Sequence, residues 1–311
     1  MPEPRWGLTI PLPGIPLRDH EGLVRRAEAA GFDDFWSAET NGFDGFTPVA
    51  LAAAWTERAR LGTGIVGVFT RGRAILAQHA AALAEASGGR FVLGIGSSSD
   101  VIVERWNGIP FARPLTRVRE TVEALRPVLR GERGPGGFRL ETPPAHPVPV
   151  YVAALRERML RLAGEIADGT FVNFLPLSAA ERVVATIAPP AGHDVVCRFF
   201  CLPGPEEEAL AQARFVFAAY ATVPVYEAFF RWLGWGEAID PMVEAWRAGN
   251  RKLAVDHVPD ALVREIFLFG DANAMRERLA AFAAAGITTL CLDPLGAPEA
   301  VRAFADDLAP R

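Results

Sequence analysis

Eight short apolar runs alternate with helical patterns along this chain, and no composition break or linker divides them. Parallel strands buried on both faces read as near-continuous apolar runs, and pairing them in parallel needs long, usually helical, connections. These features predict an α/β fold, a (β/α)8 TIM barrel built from residues 1–311 as one domain. A length of 311 residues suits that fold with elaborated loops, since about 250 residues are typical. A doubly wound open sheet, with fewer strands and a switch point, is the alternative architecture.

The elements follow in order. Trp6–Pro13 is the first strand. Arg18–Ala30 places Leu23, Val24 and Ala27 on one face and stops at Gly31, as a helix with a glycine terminator does. Asp33–Ser37 is the second strand and runs into the polar cluster Glu39-Thr40-Asn41. Thr47–Ala59 is a helix with Pro48 in its first turn, where a missing N–H is harmless. The stretch Leu61–Ser99 holds the third strand, third helix and fourth strand. Both of its apolar runs end in small residues, where backbone must come close to something.

Asp100–Pro114, with Trp106 and Phe111, is an irregular insertion after the fourth strand, and Thr116–Arg130 is a helix. Gly131–Pro149 is rich in Gly and Pro and is expected to loop out as a small hairpin around Phe138–Leu140. Val148–Ala154, Thr170–Leu175, Val195–Leu202 and Thr288–Asp293 are strands five to eight. Helices are expected at Arg156–Ala167, Ser178–Ile187, Pro205–Tyr220, Asp271–Ala285 and Pro298–Leu308. Between the last two strands, residues 221–264 carry Tyr226, Phe229, Phe230, Trp232, Trp235 and Trp246. They form an aromatic-rich helical insertion, either a lid over the barrel mouth or a subdomain on its rim.

A formal net charge of −5, with no basic stripe, argues against a nucleic-acid partner. No apolar stretch of about 18 residues reads as a membrane span. The start MPEPRWGLTIPLPG lacks the basic region, apolar core and cleavage site of a secretory signal, so the expected compartment is the cytoplasm. Cys197, Cys201 and Cys291 have neither metal-ligand nor disulfide-framework spacing. The strand ends gather mainly Glu39, Asp100 and Asp293, too few ligands for a metal site to be expected.

In a barrel of this kind the chemistry sits at the C-terminal ends of the strands. At the third, Gly64-Ile65-Val66-Gly67 offers bare backbone, either a bend that closes the barrel or a shelf on which a flat ring stacks. Gly62-Thr63-Gly64-Ile65-Val66-Gly67 also fits the G-x-G-x-x-G pattern of dinucleotide sites. That motif works only when its glycines turn a strand directly into a helix. Here Val66, Val68 and Phe69 prolong the apolar run, so the match is accidental.

At the fourth strand end, Ser97-Ser98-Ser99-Asp100 supplies hydroxyls and N–H groups for a turn or for a ligand. No His stands at a strand end to make a serine nucleophile. Leu155-Arg156-Glu157-Arg158-Met159 opens a helix after the fifth strand. Free N–H groups, the helix dipole and two arginines make an anion site there; the alternative is solvated arginines paired with Glu157 or Glu165. The position at a strand end favours phosphate. Glu39, at the second strand end, is a general acid/base, an acceptor for a ring N–H, or a capping acid.

Six stretches, in order along the chain, resemble the bacterial-luciferase-like superfamily: AEAAGFDDFWSAETNGFD, LGTGIVGVFTRGRAILA, ALAEASGGRFVLGIGSS, WNGIPFARPLTRVRETVEALR, PVYVAALRERMLRLAGEIADGTFVNFL and GDANAMRERLAAFAAAGI. The wording is most similar to the deazaflavin-dependent branch, which includes methylenetetrahydromethanopterin reductase. The resemblance implies a (β/α)8 barrel, usually a homodimer, that uses coenzyme F-420 to move hydride to or from a small-molecule substrate. It implies a cis Gly64–Ile65 peptide backing the deazaflavin ring and Gly67 beside it. Ser97 and Ser98 match cofactor contacts, and Leu155, Arg156, Arg158 and Met159 match the phosphate-holding positions. Glu39 matches an acidic residue near the ring, and Asn173 a substrate contact.

The chain also departs from the family pattern. Thr40 stands where a sugar-phosphate dehydrogenase branch has a His, and Ser99 where it has a Glu. Glu39, with its neighbour Thr40, and Asp100 beside the substrate are the catalytic candidates that remain. The alternatives are an FMN-dependent monooxygenase using the same pocket, and a cofactor-binding barrel with little turnover, which the missing His and Glu motivate.

Overall fold

The apolar runs become the strands β1 (Arg5–Ile10), β2 (Asp34–Ser37), β3 (Arg60–Thr63), β4 (Val66–Gly67), β5 (Phe91–Gly96), β6 (Val150–Ala153), β7 (Gly169–Asn173), β8 (Asp194–Pro203), β9 (Leu268–Gly270) and β10 (Thr289–Pro294). They are seen in a computed structural model that describes residues 3–308. The strands pair in parallel in the order β10-β1-β2-β3-β5-β6-β7-β8, and β10 pairs again with β8. This closes the sheet into the expected eight-rung barrel. β4 continues the rung of β3, and β9 extends the end of β8, with Cys201 opposite Leu268.

The shared rung is broken by a bulge. The β3–β5 ladder stops at Gly62 opposite Val92 and resumes at Val66 opposite Ile95. Between them the Gly64–Ile65 peptide bond is cis. The Thr63 hydroxyl bridges the gap, donating to Gly94 O at 2.7 Å and accepting from Gly94 N at 2.9 Å. Gly94 has to be glycine, because a Cβ there would run into Thr63 O.

Side chains that alternate inward along the strands fill the barrel in layers. At the N-terminal end Asp34, Arg60, Tyr151, Asp194 and Thr289 form one bonded cluster. The middle layer holds Trp36, Val92, Phe171, Val196 and Cys291. Trp36 is fully buried, with ring centroids 5.8 Å from Tyr151 and 5.4 Å from Phe171. Gly7 and Gly62 make room for it. A Cβ at Gly7 would lie 3.1 Å from the indole, and one at Gly62 would overlap it. Asn173, Arg198 and Asp293 stand above this layer, at the C-terminal mouth.

Several expectations need correction. Residues 131–149 form no hairpin: they contain a turn at Pro135–Gly137 and then run without strand pairing. Pro143, Pro144, Pro147 and Pro149 explain this, because proline donates nothing to a ladder. Arg18–Ala30 divides at His20 into a turn, Leu17–Asp19, and a helix, Glu21–Ala29. The insertion after the fourth barrel strand contains a π-helical turn, Val101–Trp106. Strand β9 was not anticipated.

Residues 221–264 are spanned by the helices Glu206–Ala221, Pro224–Leu233, Gly236–Arg247, Arg251–Asp256 and Asp260–Ile266 and the short turns that join them. Phe217, Phe229, Phe230, Ile239 and Met242 are buried among these helices. The insertion is therefore a packed helical subdomain on the barrel rim. Among the described residues no helix is long and apolar enough to cross a membrane.

Candidate active site at the C-terminal mouth

The residues singled out in the sequence come from five successive rungs of the barrel. Glu39 and Thr40 follow β2, and Gly64, Ile65 and Gly67 belong to the bulged rung of β3 and β4. Ser97, Ser98 and Asp100 follow β5, Leu155–Met159 follow β6, and Asn173 ends β7. One wall of the mouth is almost free of side chains. Gly64 and Gly67 are buried, Ile65 is half-buried, and a Cβ at Gly67 would press on Thr70 Oγ1 at 3.0 Å.

Ser98 (φ 62°) and Phe174 (φ 53°) are left-handed, a conformation that non-glycine residues adopt sparingly and that clusters at functional sites. Asn173 Oδ1 supports the second of these by accepting from Phe174 N at 3.1 Å. Asp100 is half-buried and immediately precedes the π-helical turn.

The helix after β6, Glu157–Ile166, starts with Arg156 in extended conformation (φ −115°, ψ 162°) and has no side-chain cap. Its first N–H groups are therefore without a side-chain cap, as a phosphate site requires. Arg156 and Arg158 are exposed beside them, and Leu155 and Met159 are half-buried. The donor set fits a phosphate group.

Glu39 is committed elsewhere. Arg71, which the sequence reading passed over, grips it with both guanidinium nitrogens at 2.5 and 2.6 Å, and Gly45 N donates to it at 2.9 Å. The pair fixes the loop after β2 and leaves Glu39 little freedom to move a proton. Thr40 is exposed and, among the described residues, its hydroxyl bonds to the neighbouring Asn41 side chain alone, at 3.4 Å.

The floor of the mouth carries a second pair that sequence reasoning missed. Arg198, on β8, is only 9% exposed. It donates through Nη2 to Gly64 O, stacks over Phe171 with 5.2 Å from Cζ to the ring centroid, and faces Asp293 Oδ2 with Nε at 3.8 Å. That last separation is an ion pair without a hydrogen bond, and Nε meets no acceptor among the described residues. Burial pushes the Asp293 carboxyl up to about 6, an effect that Arg198 only partly offsets.

The rim subdomain adds Tyr220 and Tyr226, and Asn173 Nδ2 donates to Tyr226 Oη at 3.2 Å. Burial and the neighbouring Tyr220 push Tyr226 up to about 12, so it stays protonated at neutral pH. A single charge in the run VVCRFFCL, alternating with Val196 and Phe200, was the one signal available for Arg198.

A family model described as luciferase-like monooxygenase matches residues 5–289. A Mycobacterium tuberculosis chain assigned by name to the coenzyme F-420-dependent oxidoreductases is 29% identical, with 93% of this chain and 94% of that one covered. A 5,10-methylenetetrahydromethanopterin reductase of Methanolobus tindarius is 32% identical over 59% of each chain. The solved structure of a coenzyme F-420-dependent tetrahydromethanopterin reductase from Methanopyrus kandleri superposes with a TM-score of 0.81. It is 22% identical, with 99% of both chains covered.

Proposed function

This chain is an enzyme of the luciferase-like monooxygenase family, and we propose that it is an oxidoreductase that moves hydride between coenzyme F-420 and a small organic substrate. One observation carries the reading. At one end of the barrel a wall of mostly bare backbone, Gly64 to Gly67, and the uncapped helix start at Leu155–Met159 stand two rungs apart, with the end of β5 between them. Bound there, the deazaflavin would supply hydride; the protein's part is to hold and orient it.

In this reading Gly64, Ile65 and Gly67 back the ring, and Ser97 and Ser98 contact its edge. Leu155, Arg156, Arg158 and Met159 hold the phosphate. Glu39, pinned by Arg71, closes the side of the pocket. Asn173 and Asp100 face the substrate, with Thr40 at the outer edge. The chain is further proposed to act as a homodimer, with the helices between residues 47 and 87 as the paired surface, which sedimentation velocity tests.

Titration of the purified protein with F-420, FMN and FAD, followed by fluorescence quenching, tests the cofactor. The expected outcome is tight F-420 binding; tight FMN binding with none of F-420 would replace this reading by a flavin monooxygenase. Replacing both Arg156 and Arg158 by Ala is expected to weaken F-420 about tenfold or more while leaving its phosphate-free ring fragment unchanged. Equal loss for both ligands would remove the phosphate assignment.

A further inference from the structure

The F-420 reading leaves the proton unassigned. Moving hydride to an unsaturated carbon requires a proton for the partner atom, and Glu39 is held by Arg71 and Gly45 N–H. At the floor of the mouth, by contrast, a buried guanidinium and a carboxylate face one another without a hydrogen bond between them. Resting on that cofactor reading, we propose that Asp293 is the proton donor of this enzyme, that Arg198 is its positioning residue, and that the substrate is a neutral carbonyl compound with an apolar flank.

The layout supports each part. Asp293 is the last residue but one of β10, with its side chain 14% exposed, buried enough to be shielded and open enough to be touched and reloaded from solvent. The titratable and charged groups acting on it are Arg198, Cys201, Cys291 and Tyr220. Burial raises both thiols and the phenol, so they stay neutral. Only Arg198 supplies charge, and it is anchored through Gly64 O and over Phe171 rather than on the carboxylate. The carboxyl is thus poised near 6, close to working pH, as an efficient general acid should be.

Substrate class follows from what the floor lacks. Once Asp293 has given up its proton it is the counter-ion of the one guanidinium, so a phosphate or carboxylate there would meet it as a like charge at the end of the step. The groups around the pair are uncharged: the phenols Tyr220 and Tyr226, the amide of Asn173, and, buried behind them, the rings of Phe171, Phe174 and Phe200. In the step itself, hydride from the reduced 5-deazaflavin forms a C–H bond at the carbonyl carbon, and the C=O π pair moves to oxygen. That oxygen takes the Asp293 proton. The carbonyl is reduced by two electrons to an alcohol, the deazaflavin is oxidised by two, and Arg198 stabilises the carboxylate left behind.

The test uses full-length protein with reduced F-420 and two probes, benzaldehyde and cyclohexanone. Asp293→Asn is expected to slow single-turnover hydride transfer about 100-fold while F-420 affinity stays within about twofold. The wild-type rate is expected to fall as pH rises above about 6, with that slope lost in Asp293→Asn and partly restored in Asp293→Glu. Independently of turnover, infrared titration of the cofactor-free protein is expected to show a protonated-carboxyl band that fades through pH of about 6 and is missing in Asp293→Asn. In Arg198→Met the band should persist to higher pH.

Asp293→Asn that keeps the wild-type rate and pH profile would overturn the assignment alone, as would the lack of any band dependent on Asp293. Wild-type protein that binds no F-420 would overturn the cofactor reading and this one with it.

Discussion

At the N-terminal end of the barrel Arg60 lies between two carboxylates, and every part of its guanidinium is bonded. Nε donates to Asp34 at 3.1 Å, Nη1 to Tyr151 at 2.8 Å, and Nη2 to Asp34 and Thr289. Asp194 completes the cluster at 2.8 Å from Nη1 and accepts from Tyr151, Thr288 and Thr289. Burial alone would push Asp194 up, but Arg60 and the hydroxyls more than offset it and hold the carboxyl below its usual range.

At the opposite end, Arg198 has a carbonyl, a ring and an acid one step too far away. The same two residue types thus serve in one place as a satisfied plug and in the other as an unsatisfied pair. A buried charge network is either complete or expensive. The barrel keeps its complete one where no substrate comes and its incomplete one at the mouth, where barrel chemistry is found.

The sharpest way to break the contrast is Asp34→Ala. The Asp34 side chain is fully buried, so its loss leaves Arg60 with Asp194 as its one carboxylate and takes the partner of Arg5 as well, and is expected to cost about 3 kcal/mol in chemical denaturation. A loss below about 1 kcal/mol would mean that the plug does not hold the barrel.

At the mouth the sign should reverse. The Asp293 carboxyl is raised from 3.8 to about 6, so the folded state binds its proton more tightly than the unfolded chain. The resulting penalty is absent below pH of about 4, grows as pH rises, and is complete above about 6. Asp293→Asn removes it and is therefore expected to stabilise the protein by about 2–3 kcal/mol above pH 6 and not at all near pH 4. A uniform loss across that range would erase the distinction between the two ends. The smallest effect is expected for Tyr226→Phe, which deletes the Asn173 hydrogen bond and should cost about 1 kcal/mol. The same variant is expected to raise KM for the carbonyl probes while leaving F-420 binding alone.

The barrel was legible because a two-residue alternation on buried strands, interrupted by helical periods, has few other solutions. The location of its mouth was legible for the same reason, since strand ends follow from strands: Gly64, Ser98, Arg156 and Asn173 all stand at or just after strand ends, while the cofactor or substrate role expected of each came from the family resemblance. Side-chain partnership was not legible. Arg71 sits 32 residues from Glu39, and no local pattern joins them. Arg198 is one charge in an apolar run, and which face it takes depends on a register fixed only when β8 closes against β10. The hairpin expected at Phe138–Leu140 fails for a local reason that was present in the sequence, the four prolines that follow it.

The indole layer between the two ends has one more consequence. Arg60 stacks beneath Trp36, with Cζ 5.3 Å from the ring centroid, and Arg198 rests on Phe171, whose ring meets Trp36 edge-on. Aromatic rings therefore stand between one cation and the other. Hydrocarbon of low dielectric does not screen charge, so redesign of the entrance for a new substrate leaves the foundation undisturbed where it keeps the charge at the mouth and is felt there where it inverts it.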